Sequence, residues 1–149
     1  MATTVGTEDR IADLVTNLIL LERDAIAAYE STISRLSDQA LAAQVETFRQ
    51  DHLQHLEVLN EMAAETGAEA PLEGDMKQML TTGKVALAGL LGDSAILKAM
   101  RTNEEDTVTA YERASTHADA LPKSVAFFRK ALADEQRHRD WMVGASETA

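Results

Sequence analysis

Leu41-Ala42-Ala43-Gln44-Val45-Glu46-Thr47-Phe48-Arg49-Gln50-Asp51-His52-Leu53-Gln54-His55-Leu56-Glu57-Val58-Leu59 repeats an apolar residue every three or four positions, then sets two histidines into the same row. Alternating steps of three and four mark the helix face that points into a bundle. Here that face runs Leu41, Val45, Phe48, His52, His55, Leu59, Met62. A histidine on such a face belongs to the interior.

The same rhythm recurs in three other segments. It reads Ile11, Val15, Leu18, Glu22, Ala25, Tyr29, Thr32, Leu36 in the first, and Leu97, Met100, Glu104, Thr107, Tyr111, Ala114 in the third. In the fourth it reads Val125, Phe128, Leu132, Glu135, His138, Met142, with one irregular step. Each row is apolar except near its middle, where Glu or His intervenes.

The two prolines and seven glycines leave long stretches free of helix breakers. The expected helices span about 7–36, 38–66, 93–118 and 122–143. Thr7 and Asp93 or Ser94 are the expected N-caps, Gly67 ends the second helix, and Pro122 opens the fourth. Short junctions near residue 37 and residue 120 make antiparallel hairpins. A long crossover, 67–92, joins the second helix to the third and contains its own apolar stretch, Met76–Leu91. The expected fold is all-α: a single antiparallel four-helix-bundle domain over 1–149.

Counting from the turns sets the depth of the polar interruptions. Glu22 lies 15 residues before residue 37, and His52 and His55 lie 15 and 18 after it. Glu104 lies 16 before residue 120, and Glu135 and His138 lie 15 and 18 after it. At a rise of about 1.5 Å per residue, all six side chains meet at one level of the core.

Burying an unpaired carboxylate costs several kcal/mol, so these groups need compensation. Protonation, carboxylate–imidazolium pairing or bound cations each supply it. A divalent metal suits mixed oxygen and imidazole ligands without cysteine. Two competing readings stay open: a metal-free Glu–His⁺ network that keeps register, and a helix phase shifted by one residue that turns these groups to solvent.

Composition narrows the function classes. Fourteen Lys+Arg against 25 Asp+Glu give a net charge of −11, which disfavours nucleic acid and anionic lipid as partners. The absence of cysteine excludes disulfides, thiol catalysis and Cys-ligated zinc or iron–sulfur centres. The first residues lack the basic and apolar regions of a signal peptide, and no apolar run approaches membrane-spanning length. A cytoplasmic protein is expected.

The two hairpins are internally similar. Glu22-Arg23-Asp24-Ala25-Ile26-Ala27-Ala28-Tyr29-Glu30 aligns with Glu104-Glu105-Asp106-Thr107-Val108-Thr109-Ala110-Tyr111-Glu112, and Asp51-His52-Leu53-Gln54-His55 with Asp134-Glu135-Gln136-Arg137-His138. These segments resemble the ferritin-like superfamily, in particular its small rubrerythrin-like and bacterioferritin-like bundles. That family holds two metal ions with a Glu on the first and third helices and Glu-x-x-His on the second and fourth. The resemblance implies that Glu22, His52, His55, Glu104, Glu135 and His138 bind metal. It also implies an outer-shell or electron-relay role for Tyr29 and Tyr111, whose alternative is a plain core aromatic. His52 departs from the pattern by replacing the expected Glu, which leaves three carboxylates. An asymmetric dinuclear site, a single ion and a redox-silent zinc site therefore all stay open.

What the resemblance implies for function is one or two divalent ions, iron above zinc or manganese. The activity would be Fe²⁺ oxidation or reduction of O₂ or peroxide, with an external electron donor. Manganese-based peroxide disproportionation is a further reading. The alternative is a non-catalytic, stress-associated helical binding module with an empty or structural-zinc site. A homodimer through the crossover is the expected assembly, and without a fifth long helix after Val143 a hollow storage cage is not expected. Asp51 and Asp134 each lie four residues before a seam histidine, His55 and His138, and can orient its free nitrogen. Glu30, Glu112 and Asp140 flank the site, and His117 complements the third helix's dipole.

Overall fold

The structure, a computed structural model, describes residues 3–71 and 90–149. Among these residues lie four helices: α1 (Ile11–Arg35), α2 (Gln39–Thr66), α3 (Asp93–Ala114) and α4 (Pro122–Thr148). They form an all-α four-helix bundle in which α1 packs chiefly on α2 and α3 on α4. No helix among the described residues is long and apolar enough to cross a membrane. Most of the crossover, including nearly all of Met76–Leu91, falls outside the described residues.

Local chemistry sets most helix ends. Asp38 caps α2 by accepting from the Ala40 and Leu41 amides, and Gly67 closes it in the left-handed region at φ 72°. Pro122 opens α4, where its missing N–H costs nothing.

Other ends differ from expectation. α1 starts at Ile11, with Arg10 at the N-cap, and Thr7 caps nothing. Residues 3–10 instead fold back along α3, where the Arg113 guanidinium donates to the Thr3 and Val5 carbonyls. Gly6 adopts φ 102° there, and a Cβ on it would fall 2.3 Å from that of Arg113. Asp93 heads α3 yet grips another junction, accepting from the Ser37 and Asp38 amides at 2.8 and 3.0 Å. Its neighbour Ser94 donates to the Ser146 carbonyl, which helps hold α4 helical past Gly144 to Thr148. α3 stops at Ala114 in a tighter turn, Thr116 N–H to the Arg113 carbonyl, rather than running to 118. His117 lies in that turn, with Nε2 2.7 Å from the Glu8 carbonyl and Nδ1 accepting from the Asp119 amide. Its role is to staple the N-terminal segment rather than to complement a dipole.

The expected seams are inside, with one change. In α4 the buried row is Ser124, Phe128, Ala131, Glu135, His138, Met142, so Ala131 and Ser124 replace Leu132 and Val125. This restores regular three-four spacing; Leu132 only flanks the core. Two apolar clusters fill the bundle. One gathers Leu14, Leu18, Leu59, Met62 and Phe128 at one end, the other Val45, Phe48, Leu97, Met100 and Met142 at the opposite end. Between them lies a polar layer.

Candidate metal centre

Six side chains make that layer. Glu22, His52, Glu135 and His138 are 0% exposed, and His55 and Glu104 1%. A helix phase that turns them to solvent is thereby excluded.

The groups form two clusters that share two members. Ligand atoms of Glu22, His52, His55 and Glu135 lie within 4.8 Å of one another, as do those of His52, Glu104, Glu135 and His138. In the first, His55 Nδ1 is 3.3 Å from Glu22 Oε1 and 3.3 Å from Glu135 Oε1. His52 Nδ1 is 2.7 Å from Glu22 Oε2 and 3.5 Å from Glu135 Oε1. In the second, His138 Nδ1 is 3.8 Å from Glu104 Oε2 and 3.6 Å from Glu135 Oε2, and His52 Nε2 is 3.7 Å from Glu104 Oε1. His52 and His55 hydrogen-bond Glu22 directly, while the other gaps match the roughly 3–4 Å separation of atoms that bind one ion at about 2.0–2.2 Å.

Three buried atoms support that fit. His52 Nε2, Glu135 Oε1 and His138 Nδ1 have no hydrogen-bond partner among the described residues. All three belong to the clusters, while Asp24 Oδ1, Thr32 Oγ1 and Arg49 Nε are unpaired outside them.

The outer contacts cross between hairpins. Tyr29 donates to Glu104, and Tyr111 donates to Glu22 Oε1 at 2.7 Å. Asp134 holds His55 Nε2 at 2.8 Å, and Asp51 holds His138 Nε2 at 2.8 Å. Each aspartate thus orients the histidine of the opposite helix, not the one four residues along its own. The reason is direction: a carboxylate beside the seam faces the neighbouring helix, whose ring lies at the same depth. Each histidine then turns Nδ1 inward, the arrangement by which a carboxylate fixes a metal-binding imidazole. Glu30, Glu112 and Asp140 are exposed.

In the metal-free chain the charges satisfy one another incompletely. Burial works against the proton on His55, but Glu22 and Asp134 hold it, raising its pKa to about 11. Burial opposes the charge on His52 too, and Glu135 and Glu22 override it, so its pKa lies well above the ordinary range. Burial raises Glu22 and Glu135, yet the facing imidazoles outweigh it and both titrate below the usual carboxylate. Glu104 is pushed up to about 7 by burial and by Glu135.

A profile of the family described as a domain of unknown function, DUF2383, matches residues 10–117. The chain belongs to the DUF2383 family. No curated protein and no solved structure matches it. The DUF2383 match takes in Glu22, His52, His55 and Glu104 and ends before α4, which supplies Glu135 and His138.

Two residues of this DUF2383 chain escaped the sequence reading. The Thr107 hydroxyl lies 2.9 Å from Glu135 Oε2, 2.9 Å from the Glu104 carbonyl and 3.2 Å from Glu104 Oε2, with one proton to give among them. Its signal was a hydroxyl on the α3 seam where α1 carries Ala25. Arg137 spans the α2–α4 face, 3.0 Å from Asp51 and 3.1 Å from Asp134, and so links the two histidine-orienting carboxylates. Nothing in its spacing distinguished it from a solvated charge.

Proposed function

We propose that this chain is a ferritin-like metal protein whose bundle core holds one or two divalent cations, iron foremost. The activity assigned is oxidation of Fe²⁺ or reduction of O₂ or peroxide. The observation that carries the reading is the set of unpaired buried atoms: His52 Nε2 and His138 Nδ1 face carboxylates, and Glu135 Oε1 faces the imidazoles of His52 and His55, across gaps that suit a cation. A network built only for register would close those gaps with hydrogen bonds.

Glu22, His55, Glu104 and His138 would each serve one cluster, and His52 and Glu135 both. Asp134 and Asp51 hold the ring protons at Nε2 of His55 and His138, keeping Nδ1 free for coordination. Tyr111 fixes one carboxylate oxygen of Glu22. The flanking apolar clusters keep bulk water from the layer. Bound iron would supply one-electron redox chemistry toward oxygen or peroxide, with electrons from an external donor.

A second reading, a non-catalytic module with structural zinc, is favoured by His52, which moves the ligand set toward nitrogen. Elemental analysis of protein purified without added metal, followed by aerobic addition of Fe²⁺, separates the two. Stoichiometric binding with accelerated growth of ferric absorption supports the oxidoreductase. Tightly held zinc with Fe²⁺ oxidised no faster than in buffer supports the structural module. A chain that retains no divalent ion, and loses nothing in Glu104→Ala and His138→Ala, overturns both.

A further inference from the structure

The geometry points to His52 as a bridging ligand that binds two cations through its two ring nitrogens. This inference rests on the proposed metal site and specifies how that site is built.

The two nitrogens of His52 face different clusters. Nδ1 lies 2.7 Å from Glu22 Oε2 and 3.5 Å from Glu135 Oε1, whereas Nε2 lies 3.7 Å from Glu104 Oε1. The ring sits within the polar layer, fully buried, packed edge-on against Tyr29 with centroids 4.7 Å apart. His55 and His138 differ in this respect. Each has one nitrogen engaged by an aspartate, so each has only one to offer. No aspartate among the described residues holds His52. Glu135 spans the clusters likewise, with Oε1 toward His55 and Oε2 toward His138.

Charge leads to the same assignment. Two divalent cations carry four positive charges, and Glu22, Glu104 and Glu135 supply three negative ones. An imidazole that binds two cations has lost both N–H protons and carries the fourth. The replacement of carboxylate by histidine on α2 thereby still allows four negative ligand charges against the four of the cations, with both ring protons leaving to solvent.

The test uses Zn²⁺ as probe, because it is diamagnetic. The full chain, labelled with ¹⁵N in its histidine rings, is loaded with Zn²⁺ and freed of excess metal. Bound zinc is measured by elemental analysis and the ring protons by long-range ¹H–¹⁵N correlation. The expected result is two zinc ions per chain, with no N–H proton on His52 and one each on His55 and His138. His117, stapled to the Glu8 carbonyl, provides a reference ring outside the site. His52→Gln should hold one zinc instead of two, and His52→Glu, which restores a fourth carboxylate, should hold two again. Two zinc ions with an N–H proton remaining on His52, a single zinc ion, or two zinc ions in His52→Gln would each overturn the bridge while leaving the metal reading intact. No retained zinc, iron or manganese would overturn that reading itself, and the bridge with it.

Discussion

The two hairpins of the bundle differ at the layer they share, and most of the site's chemistry lies in that difference. Outside it they are equivalent: Tyr29 reaches Glu104 as Tyr111 reaches Glu22, and Asp134 holds His55 as Asp51 holds His138. At the matched depth, however, α2 presents His52 and α4 presents Glu135. One ring step away, α1 has Ala25 where α3 has Thr107. The two departures belong together. His52 offers its own proton to Glu22, so α1 needs no donor there. Ionised Glu135 has none to offer, and the Thr107 hydroxyl, which also faces the Glu104 carbonyl, lies between the two carboxylates. The comparison teaches that two similar hairpins tolerate unlike residues at equivalent positions when each is matched by its own neighbour.

The largest effect comes from removing a shared residue. Glu135→Ala takes an oxygen from both clusters and should reduce divalent-cation retention to below one ion per chain, unlike His52→Gln, whose side-chain oxygen can still serve one cluster. Glu22→Ala and Glu104→Ala each remove a ligand from one cluster only, so each should leave one ion. Elemental analysis after gel filtration reads this directly. If Glu104→Ala emptied the chain as completely as Glu135→Ala, the division into two clusters would be wrong.

Next come the crossed aspartates. Losing an outer carboxylate that orients a metal-binding histidine costs about 10–100-fold in affinity. Asp134→Asn should impose that loss and perturb the ring signals of His55, not those of His138. Asp51→Asn should do the reverse. An effect of Asp134→Asn confined to His138, its neighbour on α4, would contradict the crossed arrangement.

Much of this was legible in the sequence because it follows from helical period and burial. The heptad rows placed Glu22, His52, His55, Glu104, Glu135 and His138 inside at one level, and the structure brings all six together. What stayed hidden depends on contacts between helices. The direction in which Asp51 and Asp134 reach follows from the separation and rotation of α2 and α4, which one helix's period does not contain. Apolarity alone favours Leu132 for the buried row, whereas the close packing of α4 takes the smaller Ala131. Thr7 looked like a cap, but the segment before Ile11 is held by Arg113 on α3, far away in sequence.

A smaller effect appears in the pH dependence of the metal-free chain. His52 and His55 have raised pKa values, so their contribution to stability is complete below the unfolded value of 6.5 and is lost as pH rises, toward about 11 for His55. Glu104, raised to about 7, adds to the decline over a lower range, above its unfolded value of 4.5. Glu22 and Glu135 are lowered, so their contribution is present above 4.5 and is lost on acidification. The chelator-treated chain should therefore melt highest near pH 4.5, decline gently toward pH 6.5 as Glu104 ionises, and fall more steeply above it and on acidification. Saturating Zn²⁺ should raise the melting temperature by about 5–10 °C at 100-fold excess over Kd and flatten the alkaline decline. A melting temperature in the metal-free state that climbs steadily from pH 6 to 9 would show that these histidines are not protonated there.

The smallest effect tests the pairing of Thr107 with Glu135. Thr107→Val keeps the shape and removes the hydroxyl proton that lies between Glu104 and Glu135. The loss should cost the metal-free chain about 1 kcal/mol at pH 8, read from denaturant unfolding. At pH 5 the cost should shrink, because Glu104 titrates at about 7 and below that carries a proton of its own to share with Glu135. The matching change in the other hairpin, Ala25→Thr, should gain nothing, since His52 already donates to Glu22 and the added methyl and hydroxyl must fit a closely packed position. A Thr107→Val penalty unchanged from pH 5 to pH 8 would mean that the hydroxyl fills space rather than bridging carboxylates. The unlike halves of the layer would then owe their balance to His52 alone.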